Sequence, residues 1–204
     1  PGRLGIDKTW PARFLIPLTE RTGIIPILAS DAVDDCRACK DTEEQALMKK
    51  ASRINDIVME KTFHFVKKGM TEKDAAAFID RTYIAEGAQG TSFPTIVSFG
   101  VHAADPHHEP DETILHDGEC VLIDMGCIYQ GYCSDMTRTF ICGDSPDPDF
   151  LTVHELVRQA NETAESIIRP GIKLSTIDAA ARDFLSAAGY TKEFNHRLGH
   201  FIGQ

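Results

Sequence analysis

The sequence predicts an α+β fold made of two similar halves, with the end of an α/β unit in front of it. Three observations predict this. A long helix followed by a short one occurs twice, at a period of roughly a hundred residues, much too long for a solenoid. Apolar, strand-like sequence fills the interval between the two helix pairs. The first 30 residues read strand, helix, strand.

Taken in order, "RLGID" (3–7) and "IIPIL" (24–28) read as short strands around a helical "PARFLIPLTERTG" (11–23), which Gly23 stops. Residues 1–35 are thus the expected remnant of an α/β domain, and residues 36–204 a second domain. The stretch "SDAVDDCRACKD" (30–41) reads as a polar connector. Thr42-x-x-Gln45 is a capping box for a helix that carries Leu47, Ala51, Ile54, Val58 and Phe65 on one stripe and ends near Lys68 and Gly69. Thr71-x-x-Asp74 caps a shorter helix, with Ala75, Phe78 and Ile79 inward, that stops near Gly87. The second pair repeats the plan. Asp149 precedes a helix with Val153, Leu156, Ala160, Ala164 and Ile167 on one face, closed by Pro170 and Gly171. Ser175-x-x-Asp178 opens the last helix, which runs to Gly189 and shares an Asp-Ala-Ala-Ala core with its counterpart.

Between the pairs, "PTIVSFG" (94–100) is a strand and residues 101–119 are loop. "CVLIDMGCIYQGYCSDMTRTFICG" (120–143) folds as a hairpin turning at "YQGY" (129–132). Phe201 and Ile202 suggest a buried strand at the end of the sequence.

Composition limits the function classes. A net charge of −10 argues against nucleic acid or an anionic membrane as partner. No apolar run approaches the ~20 residues of a membrane span. The six cysteines lack the spacing of a disulfide scaffold, and Cys36 and Cys39 form a lone CxxC without the second pair a zinc ribbon needs. They read as structural thiols of a reducing cytoplasm.

Chemistry concentrates in two aspartates and a few histidines. Asp124 lies in "VLIDMG", among apolar neighbours where an ionised carboxylate is expensive without a cation or donors. With the turn midpoint near residues 129 and 130, Asp135 falls opposite it on the return strand. Two facing carboxylates repel, and a bound metal removes the conflict. Spacing alone leaves a second reading, in which both cap turns or pair with Arg138. His107 and His108 sit in "DPHHEP", where Pro106 and Pro110 forbid the helix of an HExxH metalloprotease. An oxygen-rich site with one imidazole suits Mn²⁺, Co²⁺, Fe²⁺ or Zn²⁺.

Together "SFPTIVSFGVHAADPHHEP", "GECVLIDMGCIYQGYCSDMTRTF" and "HRLGHFIG" closely resemble the metallopeptidase family with the pita-bread fold, which includes Xaa-Pro dipeptidase (prolidase), aminopeptidase P, methionine aminopeptidase and creatinase. The resemblance covers residues 40–204, and residues 1–30 resemble the end of the creatinase-type N-terminal domain. It implies a pseudo-twofold duplicated fold, incomplete here at the C-terminus, and two divalent ions, Mn²⁺ foremost, that acidify a shared water. Asp124, Asp135 and His200 match three metal ligands, Asp135 the bridging one. His107 matches the catalytic histidine that stabilises the tetrahedral intermediate, and His196 a second histidine that holds substrate. Arg197 replaces a glycine of the family pattern. The implied substrate is a small peptide with proline second, and a homodimer is a further implication. The family's last two ligands are glutamates beyond "GHxIG". The sequence is therefore expected to be truncated at both ends, with three of five ligands and no activity of its own. The alternatives are a non-catalytic pita-bread module that binds peptides or proteins, and a creatinase-like amidinohydrolase, which would not need the two aspartates.

Overall fold

The expected strand–helix–strand opening forms. In a computed structural model describing residues 2–144 and 147–204, β1 (Arg3–Ile6) and β2 (Ile25–Leu28) pair in parallel, joined by α1 (Ala12–Thr22). Gly23 ends α1 in the left-handed region at φ 62°, its N–H donating to the Thr19 carbonyl.

The polar connector is instead a helix, α2 (Ser30–Ala38). Its polar sequence conceals a tertiary anchor: the buried Ser30 hydroxyl accepts the Lys8 N–H at 2.6 Å, and the Lys8 ammonium pairs with Asp34. The expected domain boundary between residues 35 and 36 falls inside this helix. Cys36 and Cys39 are both exposed and unpaired.

The first helix pair is α3 (Thr42–Phe65) and α4 (Glu72–Ala85). Asp41, not Thr42, caps α3. Its carboxylate accepts the N–H groups of Glu43 and Glu44 at 2.9 Å, and the Glu44 carboxylate accepts the Asp41 N–H at 2.7 Å. An ionised acceptor suits the positive helix end better than a hydroxyl. α3 ends at Phe65 because Val66 turns extended, short of the expected Lys68 and Gly69. The Thr71–Asp74 box of α4 is as read. In the second pair, α5 (Pro148–Ser166) is capped by Asp147, with Asp149 in its first turn. α6 (Leu174–Ala187) follows Lys173 without a side-chain cap, so Ser175 does not cap it.

The hairpin is divided between two sheets. β4 (Ile96–Phe99), β5 (Cys120–Met125) and β8 (Met136–Ile141) form one antiparallel sheet in the order β4-β5-β8. β3 (Gly90–Thr91), β6 (Cys127–Tyr129) and β7 (Tyr132–Cys133) form the other, in the order β3-β6-β7. The break falls at Gly126 on the outgoing arm and at Ser134 and Asp135 on the return. The turn centres on Gln130 and Gly131, at φ 48° and 84°, the paired positive values of a tight hairpin turn. That is one residue later than the expected midpoint, so Asp124 faces Thr137 and not Asp135. A short 3₁₀ turn, Gly100–Ala104, opens the long loop.

α3 and α4 cover the strands through a core that includes Ile54, Val58, Ile79, Tyr83, Val97, Phe99, Ile123 and Met125. Inside it the Tyr83 hydroxyl donates to the Asn55 side-chain carbonyl, and the Asn55 amide donates to the Met125 carbonyl at 3.3 Å. This buried pair ties both helices to the end of β5. α5 and α6 pack on one another over Ala160, Ala164, Ala181 and Leu185. The expected C-terminal strand is absent: residues 195–204 form no ladder, Phe201 is 69% exposed, and one bond from the Cys133 N–H to the Gly203 carbonyl, 2.8 Å, holds the segment to β7. Among the described residues no helix is long and apolar enough to cross a membrane.

Candidate metal and active site

β5 places Asp124 half-buried beside the hairpin break. Its carboxylate accepts the Thr137 hydroxyl at 2.8 Å, from the residue directly opposite on β8. Burial, and secondarily the neighbouring Asp135 carboxylate, pushes the Asp124 carboxyl above the usual range. Asp135 occupies the break itself, exposed, where no ladder fixes it. The His200 Nε2 lies 3.2 Å from the Asp135 Oδ2, while its Nδ1 lies 2.8 Å from the Phe201 carbonyl. Asp135 and His200, far apart in sequence, thus meet, and the charges of both act on the Asp124 carboxyl.

The fit to a hard or borderline divalent cation rests on that chemistry. Oxygen donors with a single imidazole suit such an ion, and positive charge would relieve the Asp124–Asp135 repulsion. The three donors are not tightly gathered. Among the described residues only Glu72, His102, His108 and Asp111 each bring one donor atom within 4.8 Å of the others.

His196 and His200 line one cavity of about 920 Å³, between α5, α6 and residues 195–201, with Ile168, Leu174 and Phe201 among its apolar walls. α6 positions this segment. The Arg182 guanidinium donates to the carbonyls of Phe194 (2.8 Å) and His196 (3.0 Å), and the Asp178 carboxylate accepts the Leu198 N–H at 2.8 Å. Arg182 and that N–H hold the Asp178 carboxyl below the usual range. The Arg197 carbonyl lies 2.9 Å from the His196 Nδ1. His107 is exposed in the loop after β4; its backbone N–H donates to the Asp105 carboxylate at 2.9 Å, and its imidazole is not brought against the aspartates.

Sequence reasoning misses the roles of four side chains in the region. Thr137 was hidden by the turn offset. Asp178 and Arg182 carry a visible signal, i,i+4 spacing on one helix, though not its purpose. Glu72 carries none, since a glutamate in the first turn of a helix normally faces water, yet here it is fully buried.

The model of metallopeptidase family M24 matches residues 46–204. "Probable dipeptidase PepE" of Mycobacterium bovis is 38% identical over all 204 residues, which span 54% of that protein. Prolidase from Pyrococcus furiosus superposes with a TM-score of 0.94 at 30% identity, over 99% of this chain and 60% of that one. Dipeptidase PepE from Mycobacterium ulcerans gives 0.93 at 37% identity, over 99% of this chain and 54% of that one. The chain therefore spans about half the length of the curated relatives it matches. The likeness to prolidase over nearly the whole chain makes the paired helices and split hairpin those of the pita-bread fold, and with the family match over most of its length, the chain belongs to metallopeptidase family M24.

Proposed function

We propose that the whole protein is a metal-dependent peptidase cleaving small peptides at Xaa-Pro bonds, and that Asp124, Asp135 and His200 are this chain's metal ligands. The observation that carries the reading is the meeting of Asp135 with His200 beside a half-buried Asp124 whose carboxyl is pushed up. Bound divalent ions, Mn²⁺ foremost, would supply water activation and carbonyl polarisation. The chain's own residues do the rest. Thr137 orients the Asp124 carboxylate, and the Arg182–Asp178 pair sets the segment bearing His196 and His200. His196, on the apolar cavity wall, is placed to hold substrate. His107, exposed in its loop and with no side-chain hydrogen bond among the described residues, is available to donate to a developing oxyanion.

Substrate specificity follows from the chemistry of proline. A tertiary amide offers no N–H, so recognition relies on shape and on the free amino terminus. The six unpaired cysteines suit a reducing cytoplasm, which belongs to the same reading. So does a homodimer through the exposed apolar side chains of residues 1–35, Phe14, Ile16 and Leu28 among them.

Two experiments test the reading. Calorimetric Mn²⁺ titration should show binding by the 204-residue polypeptide that Asp135→Asn removes. Three donors hold ions weakly, so this polypeptide alone should not turn over an Xaa-Pro dipeptide. In the peptidase-active protein, Asp135→Asn should abolish turnover without changing the circular dichroism spectrum; near-normal rates would sink the ligand assignment.

A further inference from the structure

We propose that Glu72 is a positioning residue that clamps the loop of residues 100–111 and so fixes His107 for the reaction, an inference that rests on the reading of His107 given above. Glu72 opens α4 and is 0% exposed. A buried carboxylate is costly unless its lone pairs are met. Here all are. Oε1 accepts the Phe99 N–H at 2.8 Å and lies 3.0 Å from the His102 Nδ1. Oε2 lies 2.6 Å from the His108 Nε2 and accepts the Asp111 N–H at 3.1 Å.

Those four partners have a pattern. Phe99 is the last residue of β4 and Asp111 the far end of the loop, so one carboxylate ties both ends together. His102 and His108 lie inside the loop, their ring centroids 4.2 Å apart, and bracket His107 in sequence. The loop then runs back along the start of α4, the Glu72 N–H donating to the Thr113 carbonyl and the Lys73 N–H to the Asp111 carbonyl, both at 3.2 Å. The two histidine side chains that anchor the loop on either side of His107 therefore both reach Glu72, while His107 itself stays exposed.

The same four residues could suggest a metal site. The hydrogen bonds argue for a clamp instead. Each Glu72 oxygen already takes one backbone N–H and one imidazole nitrogen, at hydrogen-bond distances, which leaves no lone pair for an ion.

The test uses Glu72→Gln and, because a buried substitution can block folding, His108→Gln from the loop side. In the 204-residue chain, amide exchange at Phe99 and across residues 100–111 should quicken by about 10-fold or more, with β5 protection kept. In the peptidase-active protein, kcat should fall by roughly 10- to 100-fold at near-constant KM, as for a misplaced catalytic group. Unchanged loop exchange in both variants, or equal loss in kcat and substrate affinity, would overturn the clamp. So would stoichiometric Zn²⁺ binding that survives Asp124→Asn/Asp135→Asn and vanishes in His108→Gln. A His107→Ala variant separates the two readings. If it keeps full activity, the role of His107 fails and the positioning claim with it, whereas failed clamping leaves His107→Ala inactive.

Discussion

Asp124 shows at the residue scale how a site is held against the stability of its own fold. Its folded carboxyl is raised above 3.8 by burial first and Asp135 second. A raised carboxyl favours the protonated form in the fold, so its penalty is full above the folded pKa and is relieved as pH falls through it. Asp124→Asn should therefore raise the melting temperature of the metal-free chain at pH 7, by a gain on the order of 1 kcal/mol, because the amide oxygen still accepts from Thr137. Thermal scans from pH 4 to 8 with and without Mn²⁺ would check it; a lower melting temperature without metal would refute the account. His102 runs the other way. The Glu72 carboxylate, helped by Asp111 and Asp105, holds its imidazole above 6.5. The contact it makes is thus fully present below that value and is lost as pH rises through the folded titration. Loop exchange, corrected for its intrinsic pH dependence, should quicken over that upper range.

At the scale of elements, the hairpin explains both what was legible and what was not. Apolar alternation marked the strands, and the two aspartates stood out as charges within them. The register did not follow, because the turn begins at Gln130, a non-glycine residue at φ 48°. Moving the turn by one residue moves the pairing by two, which gives Asp124 a hydroxyl as its direct neighbour and leaves Asp135 in the break beyond the ladder. Helix positions were read from stripes, and Ala51, Ile54, Val58, Ala75 and Ile79 are indeed buried. The α4 cap is as read, but those of α3 and α5 lie one or two residues earlier than read; Asp41 and Thr42 both satisfy the pattern and only the folded backbone decides. Asp41→Ala should cost about 1 kcal/mol in urea unfolding and Thr42→Ala much less; equal effects would contradict the observed cap. Gly126 makes the break possible. A Cβ there would overlap the Ser134 carbonyl oxygen and the Ser92 hydroxyl, which are themselves bonded at 2.8 Å. Gly126→Ala should destabilise the chain by about 1–3 kcal/mol and weaken Mn²⁺ binding together, since both arms of the site diverge at this residue.

Across these 204 residues the two helix pairs share a plan but bury unequal cores. Among the described residues, α3 and α4 close on strands through sixteen buried apolar residues, Tyr83, Phe99 and Met125 included. Among the described residues α5 and α6 bury four, three of them alanines, and leave Leu151, Val157 and Leu174 exposed. Burial contributes about 25 cal/mol per Å² of apolar surface, so the second pair is held by a small fraction of what holds the first. Within these 204 residues the second helix pair is therefore held more weakly than the first. Native-state exchange should show α5 and α6 opening as a unit, at a lower free energy and with a smaller denaturant dependence than α3, α4 and β5. The segment carrying His196 and His200 should open with them, because Arg182 and Asp178 of α6 are its main tethers. Arg182→Ala should then release residues 194–200 while α6 itself keeps its protection. If α5, α6 and β5 exchange at one common free energy, the molecule unfolds as a single cooperative body and His200 is held as firmly as Asp124.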